Sequence, residues 1–535
     1  MPQTLTVLVS LSRLMRQPVG SLPDGGPAAP GGAGRCICCL ALAVLAVAAC
    51  SHTQAADEAG GYAVYPSRGA TNVNPDTHLR IKFGSPPAAG TSGMIRVYDA
   101  QTNELVDSLD MSISAGPNPS LTIAKKERAE RAAAGLPEPP YQEMVIGGFE
   151  GFHFYPVIVR GKVATIDLHS HVLDYGRRYR VEIDPGVIEH DGFTGIGSGA
   201  GWSFSTKADA PSPDATRLTV DAGGGDFSTL QGAIEFVPDN PAEPVTIDVK
   251  RGVYEEIVFF RNKSKLTIRG EDRDATVVGY GNNSAFNPGR NGLSYRPAFS
   301  ALDSSEIRLA NFTINNYSLG QAEALKVTGD RNSVERMTLN GSGDALTLRG
   351  TIYLVDSKLT GHGDSILSYG SAFFERCELR SIGPLQWIRN PEGAHGHVFK
   401  DCVIVGSDEP LPWSVTDANP AGYKTPAVLA RLPNNHGQNY PFAEFVLIDC
   451  RMSGIVPEGV VSVEPEETFS WENVRFWEHN TMDLNGDPLD LSKRHPIMRE
   501  LKTPEDVALI DRYSDPAQVL NGWTPEPRSI DLEPR

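Results

Sequence analysis

Six stretches of the chain repeat one another. They are Ile307-Arg-Leu-Ala-Asn-Phe312-Thr-Ile, Ser333-Val-Glu-Arg-Met337-Thr-Leu, Ile352-Tyr-Leu-Val-Asp-Ser357-Lys-Leu, Ala372-Phe-Phe-Glu-Arg-Cys377-Glu-Leu, His397-Val-Phe-Lys-Asp-Cys402-Val-Ile and Phe445-Val-Leu-Ile-Asp-Cys450-Arg-Met. Each reads as a short strand, a pair ending in a polar residue, one small or apolar residue, then a polar and an apolar residue. The residue after this pair falls at 312, 337, 357, 377, 402 and 450, so the steps are 25, 20, 20, 25 and 48 residues. A period of 20–25 is too short for paired helices. It suits a right-handed parallel β-helix, whose turns bury one inward face against the next. The 48-residue step reads as two turns of 24. Cys377, Cys402 and Cys450 then stack inside the solenoid as small buried hydrophobes.

The repeat also places polar side chains. Strands of adjacent turns lie about 4.8 Å apart, so residues of equal phase stack on one face. Asp344 lies 13 residues before Ser357, and Asp364 lies 13 before Cys377, in the matching contexts Gly343-Asp344-Ala345-Leu346 and Gly363-Asp364-Ser365-Ile366. The preceding turn offers Glu323-Ala324-Leu325, with Gln321 two residues earlier and hence on the same face of a strand. Three acids are therefore expected to line up across three turns. Like charges this close raise at least one pKa, which suits a general acid beside a nucleophile or base. Spacing alone equally allows a solvated acidic ladder.

Upstream, Lys207 to Thr216 is a polar, proline-containing linker. Residues 62–206 alternate with period two in segments such as Leu79–Phe83, Ile95–Tyr98 and Tyr179–Ile183, and turn clusters separate them. The pattern predicts a β-sandwich whose last strand is Trp202–Thr206, with one short helix in the charged insert Lys125–Ala134. The stretch Tyr65–Val73 resembles the opening of bacterial Ig-like domains. Residues 51–61 form a small polar tether. Before it, the ten apolar residues Leu40–Ala49 follow Arg35 and end at Ala49-Cys50, too short to span a membrane and the length of a signal-peptide core. This resembles a bacterial lipoprotein signal over 1–50 with Cys50 as the lipidated residue. A signal cleaved near Ala56 is the alternative. The expected location is the outer membrane, periplasm or surface of the exporting cell, with membrane contact through the lipid only.

Composition narrows the partners. Lys plus Arg number 48 and Asp plus Glu 66, for a net charge of −18. That argues against coating nucleic acid or adhering electrostatically to anionic lipid. It leaves open a neutral or esterified acidic polymer. Three cysteines in the mature body, with no close pair, make no disulfide framework. No CxxC or HExxH zinc pattern appears there, so no metal site is expected from motifs.

At this point a known family becomes visible over 217–525, leaving 526–535 as a tail. The segment resembles the pectin methylesterases, carbohydrate esterases built on a right-handed parallel β-helix. Val220–Gln231 looks like the family's opening strand and helix, and Gly252-Val253-Tyr254-Glu255-Glu256 like its GxYxE motif. Gln321-Ala322-Glu323-Ala324-Leu325 is similar to QAVAL, Gly341–Leu346 stands where the family has GFQDTL, Gly361-His362-Gly363-Asp364 where it has GTVD, and Leu429-Ala430-Arg431 where it has LGR. The resemblance implies Asp364 as nucleophile, Asp344 as acid/base, Arg431 as the group that holds Asp364, and Gln321 as an oxyanion donor. It implies pectin or a related uronate polysaccharide as partner, no cofactor, and a monomer.

The departures from the family bear on substrate. Gly343 stands where a second glutamine is usual, Leu432-Pro433 and Pro457-Glu458-Gly459-Val460 lack the family's tryptophans, and Glu323 replaces an apolar residue. Trp387 or Trp413 is a candidate sugar platform, and His362, Trp387 and Glu323 are candidate substrate contacts. Other readings remain open: an esterase or thioesterase acting on a different acyl ester, a non-catalytic surface lipoprotein that binds polymer, or a pectate lyase using the stacked acids for calcium. A polygalacturonase would need further motifs before Gly361-His362-Gly363, and a serine hydrolase would need a GxSxG elbow; the catalytic segment has neither.

Overall fold

A computed structural model describes residues 61–435, 437–462 and 469–525. The signal at 1–50 with Cys50, all but the last residue of the tether at 51–61, and the tail at 526–535 lie outside the described residues.

From Arg217 onward the strands pair parallel, turn upon turn. One sheet runs from Arg217–Val220 to Met498–Glu500, and a second from Gly252–Glu255 to Arg451–Ser453. Leu309 pairs with Val334, then Leu354, Phe374, Phe399 and Leu447 in succeeding turns, and every member of this column is buried. Phe374 and Phe399 stack with ring centroids 4.3 Å apart. This is the parallel β-helix that the repeat announced.

The repeat has a conformational cause. The polar residue just before each of the positions 312, 337, 357, 377, 402 and 450 (Asn311, Arg336, Asp356, Arg376, Asp401 and Asp449) has φ between 49° and 62°. One left-handed residue per turn bends the chain from the first sheet into the second. Asn and Asp tolerate that region better than other non-glycine residues. Asn480 has the same conformation, φ 49°, and marks a further turn after the strand Arg475–His479. The residues that follow do stack: Met337 N donates to Ser357 Oγ at 3.0 Å, and Cys377 N to Cys402 Sγ at 3.4 Å. All three described cysteines are free and buried.

One expectation needs correction. The 48-residue step is a single turn, because His397–Lys400 pairs directly with Phe445–Ile448. The additional length is a long excursion between these strands, and it carries Trp413 and the short strand Ala430–Arg431.

The residues before the solenoid form two main sheets and two short two-stranded ones, Ala88–Ala89 with Ile188–Glu189 and the hairpin Glu143–Ile146 with Phe149–His153. Tyr62–Tyr65, Leu79–Phe83, Val163–Ile166 and Val157–Arg160 make one main sheet, and Ala70–Val73, Ser203–Thr206, Arg178–Ile183, Met94–Asp99 and Leu105–Asp110 the other. Leu79, Ile81, Ile95, Val97, Val181 and Trp202 point into a shared core, as period-two alternation requires. The charged insert is a helix, Leu121–Ala133.

The sandwich is docked on the solenoid rather than tethered to it. Asp76 accepts from the backbone N–H groups of Ser228 and Thr229 at 2.9 and 2.8 Å, just before the helix Leu230–Phe236. Arg160 Nη2 pairs with Glu255 at 2.6 Å. A second apolar cluster joins Ile146 and Phe152 of the first part to Ile257, Phe259, Tyr280, Phe286, Tyr295 and Leu302 of the second.

Candidate active site

Register sets the acids. Leu325 pairs with Leu346, and Leu346 with Ile366. Glu323, Asp344 and Asp364 each lie two residues before these positions, so they occupy one column on three consecutive turns. The column is mostly shielded: Glu323 is fully buried, while the side chains of Asp344 and Asp364 keep 12% and 19% of their exposure. It is therefore not a solvated ladder.

Each acid has a cation at hand. Arg431 Nη1 donates to Asp364 Oδ2, and Arg431 Nη2 to Asn435 Oδ1 at 3.2 Å. Burial raises the Asp364 pKa, the Arg431 guanidinium pulls it back down, and Asp344 pushes it up again. The other oxygen, Asp364 Oδ1, has no hydrogen-bond partner. Arg296 bridges the next two acids. Its Nη2 lies 2.8 Å from Asp344 Oδ2, and its Nε lies 2.8 and 2.7 Å from the two oxygens of Glu323. Burial raises the Glu323 pKa, and Arg296 opposes it. Among the described residues, no group of three histidine, cysteine or acidic side chains is placed to hold a metal ion.

Arg431 is delivered by the excursion. Pro384 bridges to Val428, which sets Ala430–Arg431 one turn beyond the strand Gln386–Ile388. The Arg431 guanidinium then sits 4.1 Å from the Trp387 ring centroid, and Arg389 sits 3.5 Å from the same ring. Cation–π contact of this kind favours the charged guanidinium over the ring. Trp387 is thus not an open sugar platform, since two cations cover a ring that is only 8% exposed. Glu323, with no exposed surface, cannot touch a polymer either; its carboxylate faces Arg296.

The remaining candidates lie close by. Trp413 is 38% exposed and stands over Gly363, and its ring meets His362 edge-on at 6.4 Å. It is the open aromatic face beside Asp364. Burial lowers the His362 pKa to about 4, so the imidazole is neutral at ordinary pH. Gln321 is exposed while Glu323 is buried, because this segment precedes the strand Leu325–Glu335 and strand alternation does not govern it. Its Cα still lies next to Gly343, the residue before Asp344. Gly343 itself has φ +56°, and a Cβ there would come within 2.4 Å of the Gly320 carbonyl oxygen. A glutamine does not fit this backbone.

Arg296 and Arg389 escaped the sequence reading. Arg389 follows Trp387 by two residues, so strand periodicity could have put both on one face. Arg296 lies in the irregular segment 281–298, where no repeat position marks it.

Comparison with known proteins gives one consistent result. Residues 217–408 match the family described as Pectinesterase. The chain is 26% identical to probable pectinesterase 56 of Arabidopsis thaliana over 224 residues, covering 39% of this chain and 76% of that protein. Against pectinesterase 1 of Solanum lycopersicum it is 27% identical over 212 residues, covering 37% of this chain and 38% of that protein. Among solved structures, pectin methylesterase PemA from Erwinia chrysanthemi aligns with 58% of this chain and 98% of its own, at 19% identity and TM-score 0.44. The carrot pectin methylesterase aligns with 57% and 92%, at 16% identity and TM-score 0.45.

Proposed function

Through residues 217–408 the chain belongs to the pectinesterase family of carboxylic ester hydrolases, and on that premise we propose that it hydrolyses the methyl esters of galacturonate units in pectin, with Asp364 as nucleophile and Asp344 as acid/base. The observation that carries the reading is the Asp364 carboxylate: one oxygen is held by Arg431, the other is unpartnered, and a second carboxylate occupies the same column one turn away.

In this reading Asp364 attacks the ester carbonyl carbon. Gln321 donates to the oxyanion that forms. Asp344 protonates the departing methoxide as the carbon–oxygen bond breaks, leaving an anhydride between Asp364 and the uronate. Asp344, now ionised, takes a proton from water, and the hydroxide cleaves the anhydride. One ester and one water become one carboxylic acid and one methanol. Arg431 suits its place because its planar fork stays charged and binds carboxylate directionally. Trp413 is the candidate sugar platform.

The test is methanol release from highly methylated pectin by the protein from Ala56 onward, beside Asp364→Asn. Release that vanishes in the variant supports the reading. No release from either protein sinks it, and acetyl esters and thioesters are then the next substrates to try. The excluded glutamine at Gly343 is what favours that second class. The chain is further proposed to be a lipoprotein anchored at Cys50 and exported from a bacterial cell. Loss of detergent-phase partitioning on Cys50→Ser supports the anchor, and unchanged partitioning removes it.

A further inference from the structure

Arg296 does not belong to the repeat, yet it reaches the centre of the acidic column. It sits in the segment 281–298, between the strands Thr276–Tyr280 and Phe299–Leu302. That segment is rigidly seated. Asn282 Nδ2 donates to the carbonyls of Tyr295 and Pro297 at 2.7 and 3.0 Å, on either side of Arg296. The Tyr295 ring stacks on Phe152 of the hairpin Glu143–Ile146/Phe149–His153, with centroids 4.0 Å apart and planes within 7° of parallel. Asn287 exchanges two hydrogen bonds with the His153 backbone, at 2.7 and 3.0 Å. This hairpin of the N-terminal part thus clamps the loop that carries the cation.

The other partner is equally fixed. Glu323 is a fully buried carboxylate that the proposed chemistry does not use. Besides Arg296, its Oε1 accepts from Thr347 at 3.3 Å, and Asn316 Nδ2 holds its backbone carbonyl at 2.9 Å. A buried acid is retained at a cost unless it is paired.

We propose that Arg296 and Glu323 form a positioning pair for Asp344, in which one guanidinium is divided between two carboxylates. Arg296 fixes the orientation of Asp344. Glu323 takes part of the same positive charge, so the guanidinium is not given to Asp344 alone. This rests on the esterase reading above and adds two residues to its machinery. The charged groups around Asp344 are Arg296 from the loop, Glu323 from the preceding turn, and Asp364 from the following turn with Arg431 and Arg389 beyond it.

The basic limb of the pH profile of kcat/KM reports the acid that must be protonated to release methanol. Removing Arg296 leaves Asp344 facing Glu323 with no cation between them. In Arg296→Gln the basic limb therefore moves up, by about 1–3 pH units. Removing the charge of Glu323 leaves the cation to Asp344 alone. In the isosteric Glu323→Gln the limb moves down, by about one unit. Arg296→Lys retains the charge but a single ammonium cannot bridge both carboxylates, so the limb returns toward the wild-type position while kcat stays low.

The experiment measures methanol release against pH for the wild type and the three variants, each checked for an unchanged circular-dichroism spectrum. Limb shifts of opposite sign in Arg296→Gln and Glu323→Gln support the pair. Limbs that stay in place, or that move in the same direction, overturn it while leaving the esterase reading intact. Should Arg296→Gln not fold, Arg296→Lys and Glu323→Gln decide the matter. A wild type that releases no methanol refutes the esterase reading instead.

Discussion

Arg431→Gln tests the electrostatics of the nucleophile most directly. Asp364 is held between two opposed effects, since burial raises its pKa and Arg431 lowers it. At the effective dielectric of about 20 suited to protein sites, two unit charges about 4 Å apart interact by roughly 4 kcal/mol. One pKa unit is about 1.4 kcal/mol, so the ceiling is about 3 units. The side chains of Arg431 and Asp364 retain 17% and 19% exposure, which screens part of this. Arg389 also still acts on Asp364. A rise of about 1–2 units is therefore expected, within the range known for an Asp beside an Arg. Asp364 must be ionised to attack, so activity is lost as pH falls through its pKa. In the variant the acid limb of kcat/KM moves to higher pH by that amount. The assay is initial-rate methanol release from methylated pectin between pH 4 and 9. A uniform fall in rate at every pH, with the acid limb unmoved, refutes the argument that Arg431 serves to keep Asp364 charged.

Other expectations follow from packing and burial. Phe152→Ala, in the hairpin Glu143–Ile146/Phe149–His153 and outside the column of acids, removes the stack beneath Tyr295; it lowers kcat several-fold through Arg296, and an unchanged kcat would show that the clamp is idle. Phe374→Ala leaves a cavity in the column of inward residues and destabilises by about 3–5 kcal/mol, readable in urea unfolding. Burial lowers the pKa of His397 to about 3 and of His362 to about 4, so both stay neutral while the unfolded chain protonates near 6.5. Stability from these groups is complete above pH 6.5. It is lost progressively as pH falls toward about 4 and 3, at about 1.4 kcal/mol per histidine per unit. Two imidazole signals that do not titrate between pH 5 and 8 are expected by NMR, and signals with midpoints near 6.5 would contradict the burial argument. Burial also raises the Cys402 thiol well above its usual pKa. The three body cysteines should resist thiol reagents in the native protein and react once it is denatured.

How far the sequence reached depends on what repeats. The solenoid was legible because each turn must solve the same bend with one left-handed residue, and that constraint recurs as Asn311, Asp356, Asp401 and Asp449. The stacking of Asp344 on Asp364 followed from the same period, since parallel pairing transmits register from turn to turn. Where the period broke, the sequence misled. The 48 residues before Cys450 are one turn with a long excursion, and only the direct pairing of His397 with Phe445 makes that visible. Gln321 was assigned a face by strand alternation, but no strand exists there to enforce it.

By itself the sequence determined the β-helix, the aligned acids and the family, because periodicity and motif order are local properties of the chain. The motifs already implied Arg431 for Asp364, and tertiary structure alone put Arg296 between Asp344 and Glu323. Arg431 arrives from a loop 67 residues away from Asp364, and Arg296 from an irregular segment pressed against another part of the chain. Charge pairing is a property of distance in space. A guanidinium at the end of a long side chain reaches its carboxylate wherever packing delivers it, and no spacing along the chain records that.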